Sequence, residues 1–232
     1  MMKWWRWTLV GLVLLAFFLR LRGLFANTFH ADEALFASWA RLIAVWRDPL
    51  LVTQPVDKPP LLFYLQALFY PLQGPVEWAA RLPDFIASLL LVPLTAVFAR
   101  YLEREPQISQ ISQIFSGPLM AAAFVAFSPL AIQFSATAFT DPLLTFWLTA
   151  SLAALAASCL PMRGKTVRRD DVSFDQGDTA PSRPYPSSPH PSLPHLLISS
   201  FFFFLALATK YQALLFLPLI FGLGWLWGWR GR

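Results

Sequence analysis

Two adjacent carboxylates, Asp32 and Glu33, begin a segment in which apolar residues recur with helical spacing. The apolar positions form one helical stripe: Leu35, Phe36, Trp39, Leu42, Ile43 and Trp46. At about 100° per residue, Asp32 falls inside this stripe and Glu33 falls outside it. We therefore predict that Asp32 points into the protein, where an ionisable group in a membrane protein is more often functional than decorative. The alternative is that both acids only stabilise the helix N-terminus through its dipole.

Three more polar residues interrupt apolar sequence. Lys58 precedes two prolines that fix the local backbone, so it is either a cation presented by a stiffened loop or a solvated charge. Asp141 is followed directly by a proline, an order that predicts a capping acid at a helix start. Lys210 separates two apolar runs, and by itself it is predicted to snorkel from a helix end.

A metal site is the other chemistry that these residue types could support. His30, Asp32 and Glu33 all carry side chains that ligate metals. Three ligands packed so closely on one segment rarely surround an ion, so we predict no metal site and no cofactor.

The composition indicates the environment of these residues. Hydrophobic side chains make up 56% of the 232 residues and charged side chains only 13%, whereas soluble domains have about 25% charged residues. The 22 Phe and 10 Trp exceed what one small core can bury, so many of them must face lipid. We conclude that this is an integral membrane protein.

Long uncharged runs predict an all-α, multi-pass protein with about six transmembrane helices. The predicted spans are 4–25, 85–99 with an entry at 81–84, 116–134, 142–162, 194–209 and 211–229. A cleaved signal peptide is the alternative for the first span, but arginines follow its apolar run directly.

The positive-inside rule orients these spans with the N-terminus in the cytoplasm. The inner segments then carry the whole formal net charge of +5, and acids and bases balance on the outer side, where Lys210 offsets Asp141. The basic character therefore reflects topology and does not indicate nucleic-acid binding. We predict a multi-pass protein of the cell membrane.

The loops divide the chain into three parts. Residues 1–162 form an N-terminal membrane domain, whose long outer loop, 26–82, is predicted to lie on the membrane through interfacial helices. Within that loop, 60–76 is interrupted by prolines and is predicted to be a broken interfacial or re-entrant helix, with a full span as the alternative. Residues 163–193 are predicted to be a disordered cytoplasmic linker, and 194–232 the final helix pair.

The order of the motifs resembles the N-terminal half of the GT-C membrane glycosyltransferases, in particular protein O-mannosyltransferases and the bacterial aminoarabinose transferases that modify lipid A. The motifs that carry the resemblance are Arg20 at the end of the first span, Asp32-Glu33-Ala34, Asp57-Lys58-Pro59-Pro60-Leu61, Ala80-Arg81-Leu82-Pro83, Ser128-Pro129, Thr140-Asp141-Pro142-Leu143-Leu144 and Ala208-Thr209-Lys210. They are spread over about residues 10–225 in family order. Jointly they are fairly specific, and individually each is weak.

The resemblance implies transfer of a sugar from a polyprenyl-phosphate donor to an acceptor on the non-cytoplasmic face, with inversion at the sugar carbon. It implies that Asp32 is the catalytic base, because the acceptor must lose a proton as it attacks the anomeric carbon. Lys58 matches a lysine that pairs with the carrier phosphate, and Asp141 matches an acid beside the same cavity. The other substrate-binding candidates that it implies are Glu33, Arg81 and Lys210.

Enzymes of that family have roughly twice as many spans, so the resemblance also implies that this chain corresponds to about half of such an enzyme, with a C-terminal half or a homologous subunit as partner. Two alternatives remain open. One is a transporter or flippase of lipid-linked sugars, although the two halves show no internal symmetry. The other is a non-catalytic subunit of a longer glycosyltransferase.

Overall fold

The computed structural model describes residues 2–25, 28–70, 76–102, 117–159 and 193–230, and all regular structure in these ranges is helical. The elements are α1 (Met2–Leu24), α2 (Ala31–Ala44), α3 (Leu61–Phe69), α4 (Glu77–Leu102), α5 (Gly117–Phe127), α6 (Pro129–Ser135), α7 (Thr140–Cys159), α8 (Leu193–Thr209), a 3-10 helix (Tyr211–Phe216) and α9 (Leu217–Arg230). The prediction of an all-α protein is therefore confirmed for the described ranges.

Within these ranges, three helices are long and apolar enough to cross a membrane: α1, α4 and α7. A fourth crossing is formed if α5 and α6, which meet at an angle of 56°, count as one broken span. The apolar helices at Leu193–Thr209 and Tyr211–Leu226 are shorter than a standard span. Six crossings are thus not confirmed. The predicted linker, 163–193, lies outside the described residues except for Leu193.

The bend between α5 and α6 is held by a buried arginine of α1. Pro129 has no backbone N–H, so the carbonyl oxygen of Val125 lacks its helical donor. Arg20 replaces that donor: its Nη2 lies 2.9 Å from Val125 O and its Nη1 lies 3.0 Å from Ala126 O. Its Nε donates to Ser88 Oγ in α4 at 2.9 Å. Arg20 is only 1% exposed, so the arginine at the end of the first span is buried between helices and does not reach the membrane surface.

Helix α4 begins one turn earlier than the sequence predicts. Because it begins at Glu77, and not at the predicted entry of 81–84, both Pro83 and Pro93 lie inside the helix. Starting at Glu77 brings Arg81 and Asp84 into the helix, on the side that the protein buries. The additional N-terminal residues of α4 therefore connect the outer loop to the membrane-spanning part of this helix.

Helices α2 and α3 form an outer layer that packs on the outer turns of α4 and α7. The apolar stripe of α2 contributes Phe36 and Trp39 to a buried cluster with Phe63 of α3 and with Ala87 and Leu143 of the spanning helices. Most of this stripe consequently faces protein. Helix α3 has nine residues, about 14 Å of helix, which is too short for a full span, and residues 71–75 of the predicted broken segment lie outside the described residues.

Candidate functional site

The start of α2 is a capping box built from the His-Ala-Asp-Glu sequence. The N-cap is His30, whose Nδ1 accepts a hydrogen bond from Asp32 N at 3.3 Å. In return, the backbone N–H of His30 donates to Glu33 Oε2 at 2.8 Å. The side chains of His30 and Glu33, which we considered as metal ligands, thus begin a helix, whereas the carboxylate of Asp32 takes no part in this motif. No group of three or more potential metal ligands occurs in the described part of the chain.

Glu33 is the centre of a buried ion pair. Arg81 donates from Nε to Glu33 Oε1 and from Nη2 to Oε2, both at 3.1 Å, which is a bidentate arrangement. The side chain of Glu33 is 4% exposed, and that of Arg81 is 3% exposed. The backbone N–H of Ala138 donates to Oε1 at 2.8 Å, and Arg81 also donates to Thr28 O at 2.9 Å. One carboxylate therefore joins α2, α4 and the segment before α7.

The orientation that we predicted for the two acids is reversed. Glu33 is buried, and Asp32 is exposed. The buried face of α2 includes Ala37 and Ala40, which are 3% and 0% exposed. These small residues let neighbouring helices approach closely, and so the buried face turns away from Leu35 toward the side that carries Glu33.

Hydrogen bonding decides the protonation of Glu33. Burial alone would raise the pKa of this carboxyl, because a charge is poorly solvated there. The hydrogen bonds from Arg81, His30 N and Ala138 N outweigh burial, and the net effect is a pKa below the usual value. Glu33 is therefore a stable anion whose acceptor capacity is already in use.

Asp32 has the opposite environment. Within the described part of the chain, no hydrogen bond or ion pair engages its carboxylate, and the residue is exposed. Phe36 lies one turn further along α2, and Lys58 Nζ lies over its ring at 5.3 Å from the centroid. Lys58 also forms an ion pair of 2.7 Å with Asp57. The structure thus brings Lys58 to the N-terminal half of the helix that carries Asp32.

Asp141 and Lys210 form a second pair. Helix α7 begins at Thr140, so Asp141 lies in its first turn, and its Oδ1 accepts a hydrogen bond from Lys210 Nζ at 2.6 Å. Asp141 therefore lies inside the helix and is not the N-cap that the sequence predicts. The predicted topology places Asp141 and Lys210 on the same side of the membrane, which agrees with their contact. Their side chains are 56% and 21% exposed, so solvent or a ligand can reach the pair.

A cavity lies beside Asp141. It has a volume of about 370 Å³ and is lined mainly by apolar side chains of α4, α6 and α7, together with Ser88, Ser128 and Thr145. The bond from Ala138 N to Glu33 ties this region to α2, because Ala138 precedes Asp141 by three residues. Asp32, Asp141 and Lys210 consequently belong to elements that are fixed relative to one another.

Asp84 is a candidate that our sequence reasoning treated only as the entrance to a span. It is completely buried in α4, and no side chain of the described residues donates a hydrogen bond to its carboxylate, on which the backbone N–H of Leu143 acts. Glu33 and Asp141 are close enough to act on it electrostatically. The available signal was its isolation, since Asp84 is the only charged residue between Arg81 and Arg100.

Comparisons with protein families, with curated proteins and with solved structures find no match to this chain.

Proposed function

We propose that the chain is a polyprenyl-phosphate-dependent glycosyltransferase, or the N-terminal part of one, that acts on the non-cytoplasmic face of the cell membrane. The observation that carries the proposal is the contrast on α2. Glu33 is fixed by four hydrogen bonds, and this fixes the backbone of Asp32, whose own carboxylate is exposed and unengaged among the described residues. An immobilised backbone with a free carboxylate suits a general base.

In this mechanism, Asp32 accepts the proton of the acceptor hydroxyl or amine as that group attacks the anomeric carbon. The bond from the anomeric carbon to the carrier phosphate oxygen breaks as the new glycosidic bond forms on the opposite face, so the configuration inverts. Polyprenyl phosphate leaves with an additional negative charge, which the ammonium groups of Lys58 and Lys210 stabilise.

The other candidates have supporting roles in this scheme. Arg81 and Glu33 act as positioning residues, because their polar atoms hold α2 against α4. Asp141 holds Lys210 in place before the donor binds. The apolar cavity beside Asp141 offers space of suitable chemistry for the first isoprene units of the carrier.

The test compares Asp32→Asn with the unaltered protein and with Glu77→Gln, a control that neutralises an acid in the first turn of α4. Binding is measured on the purified full chain with polyprenyl-phospho-mannose and polyprenyl-phospho-aminoarabinose, and transfer of labelled sugar is measured in membranes. We expect Asp32→Asn to reduce transfer by about 10²- to 10⁴-fold, with donor binding unchanged. The control should behave as the unaltered protein.

Two results would contradict this proposal at different levels. Normal transfer by Asp32→Asn would refute the assignment of the base. Failure of the unaltered chain to bind any polyprenyl-phosphate sugar would refute the donor class.

A further inference from the structure

The end of α2 is a Schellman motif with an unusual residue at its key position. Arg47 N donates to Leu42 O at 3.1 Å, and Trp46 N donates to Ile43 O at 3.0 Å, which are the two bonds of that motif. The residue that follows the C-cap must adopt a left-handed conformation, and glycine usually occupies it. Here it is Trp46, with φ of 55°. A bulky side chain at this position strains the backbone.

The loop that follows is held rigidly. Asp48 accepts hydrogen bonds from Val52 N at 2.9 Å and from Thr53 N at 2.8 Å, and the Thr53 hydroxyl also donates to it. These hydrogen bonds lower the pKa of Asp48, so its carboxylate stays ionised and keeps accepting them at neutral pH. Leu51 is the other non-glycine residue of the described chain with positive φ, at 52°, and its side chain is buried. The loop therefore has a defined shape with an inner and an outer side.

The outer side is strongly apolar. Trp46, Leu50 and Val52 are 81%, 75% and 79% exposed, and Val45 adjoins them. Two exposed arginines, Arg41 and Arg47, flank this set. We call Val45, Trp46, Leu50 and Val52 the Trp46 patch. Exposed apolar side chains with an indole and neighbouring guanidinium groups are typical of segments at a membrane interface.

The inner side of the loop places the patch at the height of the membrane boundary. Leu51 belongs to the same buried cluster as Ala87 of α4 and Leu143 of α7. Leu143 lies in the first turn of a spanning helix and Ala87 about 15 Å along another, counted from Glu77. A loop whose inner residue is buried in one cluster with residues of two spanning helices lies beside those helices, where lipid headgroups and upper acyl chains surround the protein.

We propose that the Trp46 patch is a lipid-binding anchor that inserts into the interfacial region of the outer leaflet. The indole of Trp46 and the side chains of Leu50 and Val52 enter the headgroup and acyl boundary, and Arg41 and Arg47 pair with lipid phosphates. Insertion offsets both the strained backbone at Trp46 and the exposure of its ring to water. The anchor fixes the outer layer, α2 included, relative to the bilayer, and it does not depend on the proposed glycosyl transfer.

Site-directed quenching tests the position of the patch. Single cysteines are introduced as Leu50→Cys and Val52→Cys in a Cys159→Ala background, labelled with an environment-sensitive fluorophore and reconstituted in vesicles of phosphatidylethanolamine and phosphatidylglycerol. We expect lipids with a nitroxide near the headgroup to quench both probes, and aqueous iodide to quench them weakly. Asp57→Cys is the control, because its side chain is exposed beside Lys58 and should be quenched by iodide.

Two substitutions at Trp46 separate the backbone from the side chain. Trp46→Gly removes strain and indole together, whereas Trp46→Ala removes the indole but keeps a Cβ in the left-handed conformation. We expect Trp46→Gly to raise the thermal midpoint in detergent by about 2–4 °C, and Trp46→Ala not to raise it. Both should reduce lipid quenching at the Leu50→Cys probe at least twofold.

Two outcomes would overturn the proposal. Strong iodide quenching of the Leu50→Cys and Val52→Cys probes in vesicles, without lipid quenching, would show that the patch faces water. Protection from both quenchers, with disulfide cross-linking between two chains through Leu50→Cys, would show that a second copy of the chain covers it.

Discussion

Asp32 and Glu33 are neighbours in the chain and opposites in the structure. Glu33 is buried and accepts hydrogen bonds from α4, from the backbone of His30 and from the segment before α7. The carboxylate of Asp32 is exposed and has no such partner in the described part of the chain. Two adjacent residues on a helix point about 100° apart, so one turn of helix can offer one acid to the core and the other to a ligand.

The cations show the same division. Arg81 is bidentate to Glu33 and 3% exposed, whereas Lys210 makes a partly exposed contact with Asp141. A buried, fully bonded pair fixes the arrangement of helices, and a partly exposed pair can exchange its partner for a ligand. The charged residues of this outer region therefore include a framework, Glu33 with Arg81, and an exchangeable pair, Asp141 with Lys210, beside the exposed carboxylate of Asp32.

Breaking the framework should have the largest effect. Arg81→Met leaves Glu33 buried and without its charged partner, and removing one member of a buried pair costs about 3–5 kcal/mol. We expect the thermal midpoint of the detergent-solubilised protein to fall by on the order of 10 °C. Arg81→Lys is the matched control, because it keeps the charge but cannot form the bidentate contact. Its thermal midpoint should lie between those of the unaltered protein and Arg81→Met. A midpoint unchanged in Arg81→Met would contradict the framework role.

Acid should weaken the framework to a smaller degree. The pKa of Glu33 is lowered in the folded state, so its contribution to stability is present above the ordinary carboxyl pKa of about 4.3 and is lost as the pH falls further, through the folded pKa. Between pH 7 and pH 3, we expect the thermal midpoint of the unaltered protein to drop more than that of Glu33→Gln. Asp48 titrates in both proteins, so its effect cancels in the difference. Equal drops would show that Glu33 is not a stabilising anion.

The sequence predicts the helical elements well and the faces of α2 poorly. Uncharged runs locate α1, α4, α5 and α7, because the length of an apolar run is a direct consequence of membrane thickness. The apolar stripe of α2 fails as a guide to its buried face, since alanines contribute little to hydrophobicity but allow close packing. Ala37 and Ala40 thereby decide that Glu33, and not Asp32, is buried.

Partners that are distant in sequence were beyond prediction. Arg20 bonds with the carbonyl oxygens of Val125 and Ala126, which lie over one hundred residues away, and nothing local signals this contact. The bond from Ala138 N to Glu33 is of the same kind. In contrast, charge balance placed Lys210 and Asp141 on the same side of the membrane, although it did not predict their contact. Long-range electrostatic neutrality is visible in a sequence, whereas a hydrogen bond to a backbone atom is not.

The smallest effect on stability should come from the exchangeable pair. Asp141→Asn and Lys210→Met, alone and combined, form a double-mutant cycle, and we expect a coupling of about 1 kcal/mol or less, because both side chains reach solvent. The coupling should weaken further with salt. In the proposed enzyme, Lys210→Met should nevertheless lower sugar transfer at least tenfold, because the ammonium stabilises the departing phosphate. A coupling of about 3 kcal/mol or more, the cost expected for breaking a buried pair, would place Asp141 and Lys210 in the framework. The contrast that supports the proposed site would then no longer hold.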